Sequence, residues 1–343
     1  MKIDKLNIVN FRRFKSLDLS FDDRNLIVGI NGSGKTTLLE AIYMLCWGKS
    51  FRTTKDNEVI RWEERSALLE GEFSGEDIYS LRLLLSSSGK RITLNGKAIA
   101  RANLIGKIPV LFVSPEELSL LSGPPKVRRD FLNKLLSQLD NEYLTKYRLY
   151  LKLIKEKNSA LSRGEKIGKI LDFINERLFN VSFYIWKKRE EVLNLLGGEE
   201  IKIVYKPSGL NVDLDRDALK RVMISLKDKE ISRGFASFGP HLDEFDILRR
   251  EGFSFRKFSS RGESKLIIWR FFMRALSLFK EKKPILLIDE LFAELDSSKR
   301  SMVQEDLNGL RSQIFITALT PYVELKDFSL FEVRDGEVRR YNS

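Results

Sequence analysis

Leu26-Ile27-Val28-Gly29-Ile30-Asn31-Gly32-Ser33-Gly34-Lys35-Thr36-Thr37 is the stretch that decides the fold. A short, wholly apolar run ends at Gly29, and Thr36 to Trp47, free of proline and glycine, follows the loop and stops at Gly48. The pattern reads strand, glycine loop, helix. Gly29 to Thr36 satisfies G-x-x-x-x-G-K-[ST], the phosphate-loop pattern, in the strand-to-helix context that the pattern requires. Glycines let backbone N–H groups curl around phosphate oxygens, and the helix N-terminus adds the positive end of its dipole. The candidate nucleotide contacts are therefore Gly29, Ile30, Asn31, Gly32, Ser33, Gly34, Lys35, Thr36 and Thr37. Lys35 is expected to bridge the β and γ phosphates, and the Thr36 hydroxyl to ligate Mg²⁺.

Upstream, Leu17, Leu19 and Phe21 alternate with Asp or Ser as a half-buried strand does. Downstream, segments 67–73, 80–85 and 91–94 read as strands, with Asn95-Gly96 as a tight turn. The second anchor is Pro284-Ile285-Leu286-Leu287-Ile288-Asp289-Glu290, a buried strand carrying two carboxylates at its C-terminal end, where α/β sheets bind ligands. Beside a phosphate loop, Asp289 is expected to hold Mg²⁺ through water and Glu290 to polarise an attacking water as general base. About 250 residues separate Lys35 from Asp289. A simple phosphate-loop kinase needs far fewer, so something large is inserted between them.

The insertion announces itself at Gly123-Pro124-Pro125. No proline follows from Lys126 to Leu196, and apolar residues recur there at helical spacing, with a break around Ser162-Arg163-Gly164 and an end at Gly197-Gly198. Two helices of roughly thirty residues, each on the order of 45 Å, make a short arm. The expected domains are 1–124, a head segment with the phosphate loop; 125–198, the helical arm; and 199–343, the rest of the head. In the last of these, residues Asp215 to Lys229 read as helical.

Charge sharpens that division. Lys and Arg number 60 against 48 Asp and Glu, a net +12 in 343 residues, which favours a polyanionic partner such as nucleic acid or an anionic surface. Between Lys126 and Glu190, sixteen basic residues face eight acidic ones. Most of the excess therefore lies in the arm. A single cysteine, Cys46, excludes an intramolecular disulfide framework and fits a reducing compartment, and a single histidine, His241, leaves no histidine cluster for a metal. The N-terminus lacks a secretory pattern and no apolar run is long enough to span a bilayer, so a cytoplasmic protein is expected.

Before Asp289 lies Ser259-Ser260-Arg261-Gly262-Glu263, followed by an apolar, proline-free stretch; Ser260 and Gly262 at a helix N-terminus form a second candidate anion site. Phosphate loop, S-x-G-E, Asp-Glu strand and then Glu294-Leu295-Asp296 resemble, in order, the parts of ABC-type ATPase heads, Asp296 falling in the D-loop. Several further strings, in their order and spacing, resemble the RecF family of bacterial recombination mediators, related to the SMC and Rad50 heads. They are NFRRF at 10–14, SFRT at 50–53, VSPEEL at 113–118, GPPKVRRDFL at 123–132, GPH at 239–241 and QIFITAL at 313–319. The resemblance implies an α/β fold, an ABC-type phosphate-loop head with a helical second lobe inserted, and a weak ATPase using ATP and Mg²⁺. It also implies an ATP-driven homodimer in which Ser260 and Gly262 of one copy face the phosphate loop of the other. Such a dimer would be a clamp on duplex or gapped DNA, acting with RecO and RecR to help load RecA. Departures are Leu-Asp-Glu after GPH, Glu263 where glutamine is usual, no glutamine among 114–117, and Thr317 near the position of the switch histidine. The competing expectations are an SMC or Rad50-like structural head, which the short arm disfavours, and a transporter-type ABC subunit.

Overall fold

The computed structural model describes residues 1–343 apart from 163–167, 254, 256–260, 294, 323, 324, 326, 342 and 343. The chain divides into two compact units, Met1–Leu118 with Ser260–Ser343, and Ser119–Ser259.

The first unit is built on two sheets, each six-stranded among the described residues. One is antiparallel, in the order β2(Phe14–Ser20), β1(Lys2–Phe11), β4(Ser66–Ser74), β5(Tyr79–Ser86), β6(Gly89–Leu94), β7(Lys97–Ala98). The three expected strands at 67–94 are there. Asn95 and Gly96 both take positive φ, as the two-residue hairpin turn between β6 and β7 demands. The other sheet runs β14(Glu337–Tyr341), β13(Ser329–Arg334), β3(Arg24–Val28), β12(Ile314–Ala318), β11(Ile285–Ile288), β8(Val110–Val113), parallel except for the β13–β14 pair. Between these sheets lies α1(Lys35–Trp47). Nearly every residue of α1 is buried, as expected of a helix covered all round. Its Leu39, Ile42 and Leu45 belong to one core with Leu69 and Leu83 of the antiparallel sheet and Leu287 and Phe315 of the parallel one. Cys46 is inert core, its thiol pKa pushed up by burial. The parallel arrangement has a direct consequence. Strands β3, β11 and β12 run the same way side by side, so the glycine loop after β3, the carboxylates after β11 and Thr317 at the end of β12 gather at one edge.

In the second unit the first expected arm helix is two, α2(Pro125–Leu139) and α3(Asn141–Ser162), followed by α4(Gly168–Leu196) and the antiparallel pair β9(Ile201–Lys206) and β10(Glu244–Arg249). Asp140 causes the break. Its Oδ1 accepts the N–H groups of Glu142 and Tyr143 at 2.8 and 3.1 Å, capping α3. A second cap holds at Asp215, but the helix expected over 215–229 is likewise two, α5(Arg216–Ser225) and α6(Lys227–Arg233).

The expected return to the head at residue 199 needs correction, because 199–259 packs into the unit that holds the arm helices. Three buried ion pairs tie it there. Arg128 of α2 grips Glu244 with two bonds of 2.6 and 2.9 Å, Lys157 of α3 meets Glu230 at 2.6 Å, and Arg189 of α4 pairs with Asp243. Asp243 also accepts Trp186 Nε1–H at 2.8 Å, the Ser208 N–H at 2.7 Å and the Tyr205 hydroxyl. An apolar cluster of Phe179, Trp186, Leu219, Met223 and Phe238 closes the same seam. Charges this deeply buried must find partners, and the partners lie beyond residue 199.

His241 sits in this unit with Nδ1 hydrogen-bonded to the Tyr150 hydroxyl. Burial raises the Tyr150 pKa, so the phenol keeps its proton and donates to a neutral imidazole. Burial lowers the His241 pKa from 6.5 to about 4, and Arg129, Lys157 and Arg189 add to the shift. The unfolded chain therefore binds this proton at higher pH than the folded one. His241 contributes stability that is complete above about pH 6.5 and lost as pH falls toward 4, on the order of 3 kcal/mol. Urea midpoints at pH 7 and pH 4.5 should differ more in the parent than in His241→Gln; equal differences would contradict this.

Candidate nucleotide-binding site

The glycine loop owes its shape to positions that tolerate no side chain. Gly29 takes φ +153°, and a Cβ there would lie 2.4 Å from the Val333 carbonyl oxygen. Gly34 takes φ +122°, with Arg13 Cδ only 2.9 Å from where a Cβ would sit. Gly34 is also the N-cap of α1, which has no side-chain cap and no acidic residue in its first turn. An anion can therefore face bare helix N–H groups.

Lys35 is 4% exposed, and its Nζ donates to the carbonyl oxygens of Gly29 at 2.7 Å and Ile30 at 3.2 Å. The loop thus holds the ammonium over itself. Glu290 Oε1 lies 3.7 Å from that Nζ. Thr36 Oγ1 donates to the Asp289 carboxylate at 2.9 Å, so the two candidate metal ligands touch. Burial raises the Asp289 pKa, opposed by hydrogen bonds from Thr317 and Thr36.

Glu290 follows Asp289 in the left-handed region, φ +48°, which is uncommon for a residue with a side chain. The Thr317 hydroxyl accounts for it by accepting the Glu290 N–H at 3.0 Å while donating to Asp289 Oδ1. One buried threonine therefore holds both the Asp289 carboxylate and the Glu290 backbone. The sequence marks Thr317 only as standing near a missing histidine.

Arg13 is a second residue that sequence reasoning left without a role, since NFRRF carried only a family resemblance. Its Nη1 donates to the Gly32 carbonyl, laying a cation on the loop. Beside it Arg12 forms two bonds, 3.1 and 2.8 Å, to Glu40, a fully buried carboxylate of α1 that also accepts the Ser50 hydroxyl. An arginine pair before the loop and a glutamate five residues into the helix were the available signals. Their pairing spans 28 residues, beyond any local pattern.

The fit to a nucleotide triphosphate with Mg²⁺ rests on these atoms. Ser33 Oγ is buried inside the loop without a hydrogen-bond partner among the described residues, a polar group left for a ligand. Magnesium characteristically takes one or two carboxylates and fills its remaining positions with water and phosphate, so Thr36 with Asp289 fits it, and the lack of a three-residue ligand cluster among the described residues does not count against it.

The other candidates lie apart. Gly262 stands in the first turn of α7(Arg261–Ser277), whereas Ser260 and Glu294 fall outside the described residues. Asp296 caps α8(Ser297–Gly309), accepting Lys299 N–H at 2.9 Å, and bonding to Lys299 lowers its pKa. Among the described residues no hydrogen bond or ion pair joins Gly262 or Asp296 to the glycine loop.

A family model described as the RecF/RecN/SMC N terminal domain matches residues 2–336. The chain is 31% identical to the DNA replication and repair protein RecF of Halalkalibacterium halodurans, over 99% of this chain and 100% of that protein. The chain belongs to the RecF family. A solved structure of the recombination mediator protein RecF with ATP in the RecFOR pathway matches with a TM-score of 0.88 at 26% identity, covering 99% of this chain and 97% of that one. An SMC head bound to the C-winged helix domain of ScpA matches at 0.56 and 17% identity, over 99% of this chain and 98% of that one, and so shares the fold. The α/β ABC-type head with an inserted helical lobe, read from the order of the motifs, is the fold of this family. No helix among the described residues is long and apolar enough to cross a membrane.

Proposed function

We propose that this RecF-family chain acts in DNA replication and repair as an ATP-dependent DNA clamp and a slow ATPase. The observation that carries the reading is the gathering of Lys35, Thr36, Asp289 and Glu290 at one edge of the parallel sheet, next to an uncapped helix N-terminus. Backbone N–H groups from Gly29 to Thr37 and the Lys35 ammonium bind the phosphates. Thr36 and Asp289 would hold Mg²⁺, which would supply charge neutralisation to the bound triphosphate. Glu290 orients and deprotonates the attacking water, its backbone fixed by Thr317.

Ser260, Gly262 and Asp296 serve the nucleotide of a second copy. A single phosphate loop and a single S-x-G-E per chain make two half-sites per protomer, which an isologous two-fold dimer completes. Sedimentation with and without ATP tests this. A protein that stays monomeric in saturating ATP overturns the clamp.

DNA binding belongs chiefly to the Ser119–Ser259 unit, whose 28 basic and 20 acidic residues leave +8 of the chain's +12. The buried Arg128, Lys157 and Arg189 do not reduce this excess, because their partners belong to the same unit. Contacts to phosphate make binding weak in sequence preference and steep in salt. Affinity for a duplex or gapped DNA should fall with salt on a log–log slope steeper than about −3, and a flat response would contradict the assignment. Acting with RecO and RecR to load RecA at single-strand gaps is the pathway role in keeping with the family.

A further inference from the structure

Thr317 stands one residue past Ile316, which the parallel register of β12 and β11 sets beside Ile288. The same register carries Thr317 beyond the end of β11, next to Asp289 and Glu290. It is 1% exposed, so bulk water cannot stand in for its hydroxyl. As a β-branched residue its χ1 is restricted, which holds the hydroxyl in place. That one oxygen is used twice: its O–H donates to Asp289 Oδ1, and it accepts the Glu290 N–H at 3.0 Å.

The two contacts fall on residues with different work. Asp289 is pinned from two sides, Thr36 Oγ1 donating to Oδ2 at 2.9 Å and Thr317 to Oδ1, which fixes the plane of the carboxylate that would hold Mg²⁺. Hydrogen bonds behind a metal-holding carboxylate orient it, and losing one costs about 10–100-fold in metal affinity or activity. Glu290 has its backbone held at φ +48°, with Oε1 3.7 Å from Lys35 Nζ. Without an acceptor for its N–H, Glu290 would gain by leaving the left-handed region, and its carboxylate would move with it. A hydroxyl that donates is also polarised into a better acceptor, so each contact strengthens the other.

We infer that Thr317 is a positioning residue that couples the metal-holding carboxylate to the general base, so that metal affinity and water activation depend together on one hydroxyl. This rests on the roles proposed for Asp289 and Glu290 and adds the group that makes the two interdependent. Thr317 acts through these neighbours and not on the substrate.

Thr317→Val removes the hydroxyl and keeps the shape, whereas Thr317→Ser keeps the hydroxyl and removes the methyl. Calorimetry on the full chain measures ATP affinity with Mg²⁺ and with a chelator, and steady-state kinetics gives kcat and KM. In Thr317→Val the gain in ATP affinity that Mg²⁺ brings and kcat should each fall by about tenfold or more, with Mg²⁺-free ATP affinity unchanged. Thr317→Ser should recover most of both. Glu290→Gln, which keeps the threonine and the backbone, should lose kcat yet retain the full gain from Mg²⁺. If Thr317→Val is too unstable to assay, Thr317→Ala must show the same pair of losses. A hydroxyl-free variant that loses kcat but keeps the Mg²⁺ gain, or loses the gain but keeps kcat, overturns the coupling, and the phosphate loop stands because ATP still binds. So does a lowered melting temperature with both quantities parental, or a Thr317→Ser protein as impaired as Thr317→Val. If the parent binds ATP no more tightly with Mg²⁺ than without it, the metal reading itself fails and the coupling falls with it.

Discussion

Lys35→Ala should lower the affinity for Mg·ATP by at least about a hundredfold, as measured by calorimetry, and abolish any ATP-dependent change in oligomeric state. The size follows from what the ammonium does. It is buried against the loop, already desolvated, and held by two carbonyl oxygens at 2.7 and 3.2 Å. Bound phosphate oxygens would replace weak dipolar partners with charged ones, and a charge-assisted hydrogen bond contributes about 1.5–3 kcal/mol. Removing two such hydrogen bonds costs at least the ~3 kcal/mol that a hundredfold change represents. The fold should survive, because the core on which α1 packs begins at Leu38. A variant with a parental melting temperature and parental ATP affinity would remove the loop from the mechanism.

The phosphate loop and the Asp-Glu strand are legible in the sequence because their chemistry is local: glycines, a lysine and a threonine in eight residues, and two carboxylates directly after an apolar strand. The antiparallel strands are legible because one face is buried, so apolar residues alternate along them. Thr317 is not, because its role exists only when β12 lies beside β11, an adjacency that no short pattern encodes. Arg13 and the Arg12–Glu40 pair escape for the same reason. The second unit does not end at 198, because composition changes there whereas cohesion does not. Arg128, Lys157 and Arg189 count only toward the arm's basic excess in the sequence, yet each is buried against a carboxylate of the following segment. The break at Asp140 does carry a local signal, an N-cap aspartate inside a helical run.

Glu290→Gln should separate binding from turnover. The amide keeps the side chain's volume and its hydrogen-bonding reach but cannot take a proton, so ATP affinity should hold while hydrolysis falls by about 10²–10⁴. Because the nucleotide is then bound but not consumed, a dimer that forms on ATP should persist, visible in sedimentation as a species that outlives the parental one. Backbone geometry supplies the control. Glu290 sits at φ +48°, a conformation that costs a non-glycine residue on the order of 1 kcal/mol, and Thr317 holds it there through the Glu290 N–H. Glu290→Gly relieves that cost, so it should melt no lower than the parent and yet be as slow as Glu290→Gln. A chain that merely needed a cap at this strand end would behave differently: both variants would hydrolyse ATP at the parental rate. In that case the strained geometry after Asp289 serves the fold, and the group that activates water lies elsewhere in the site.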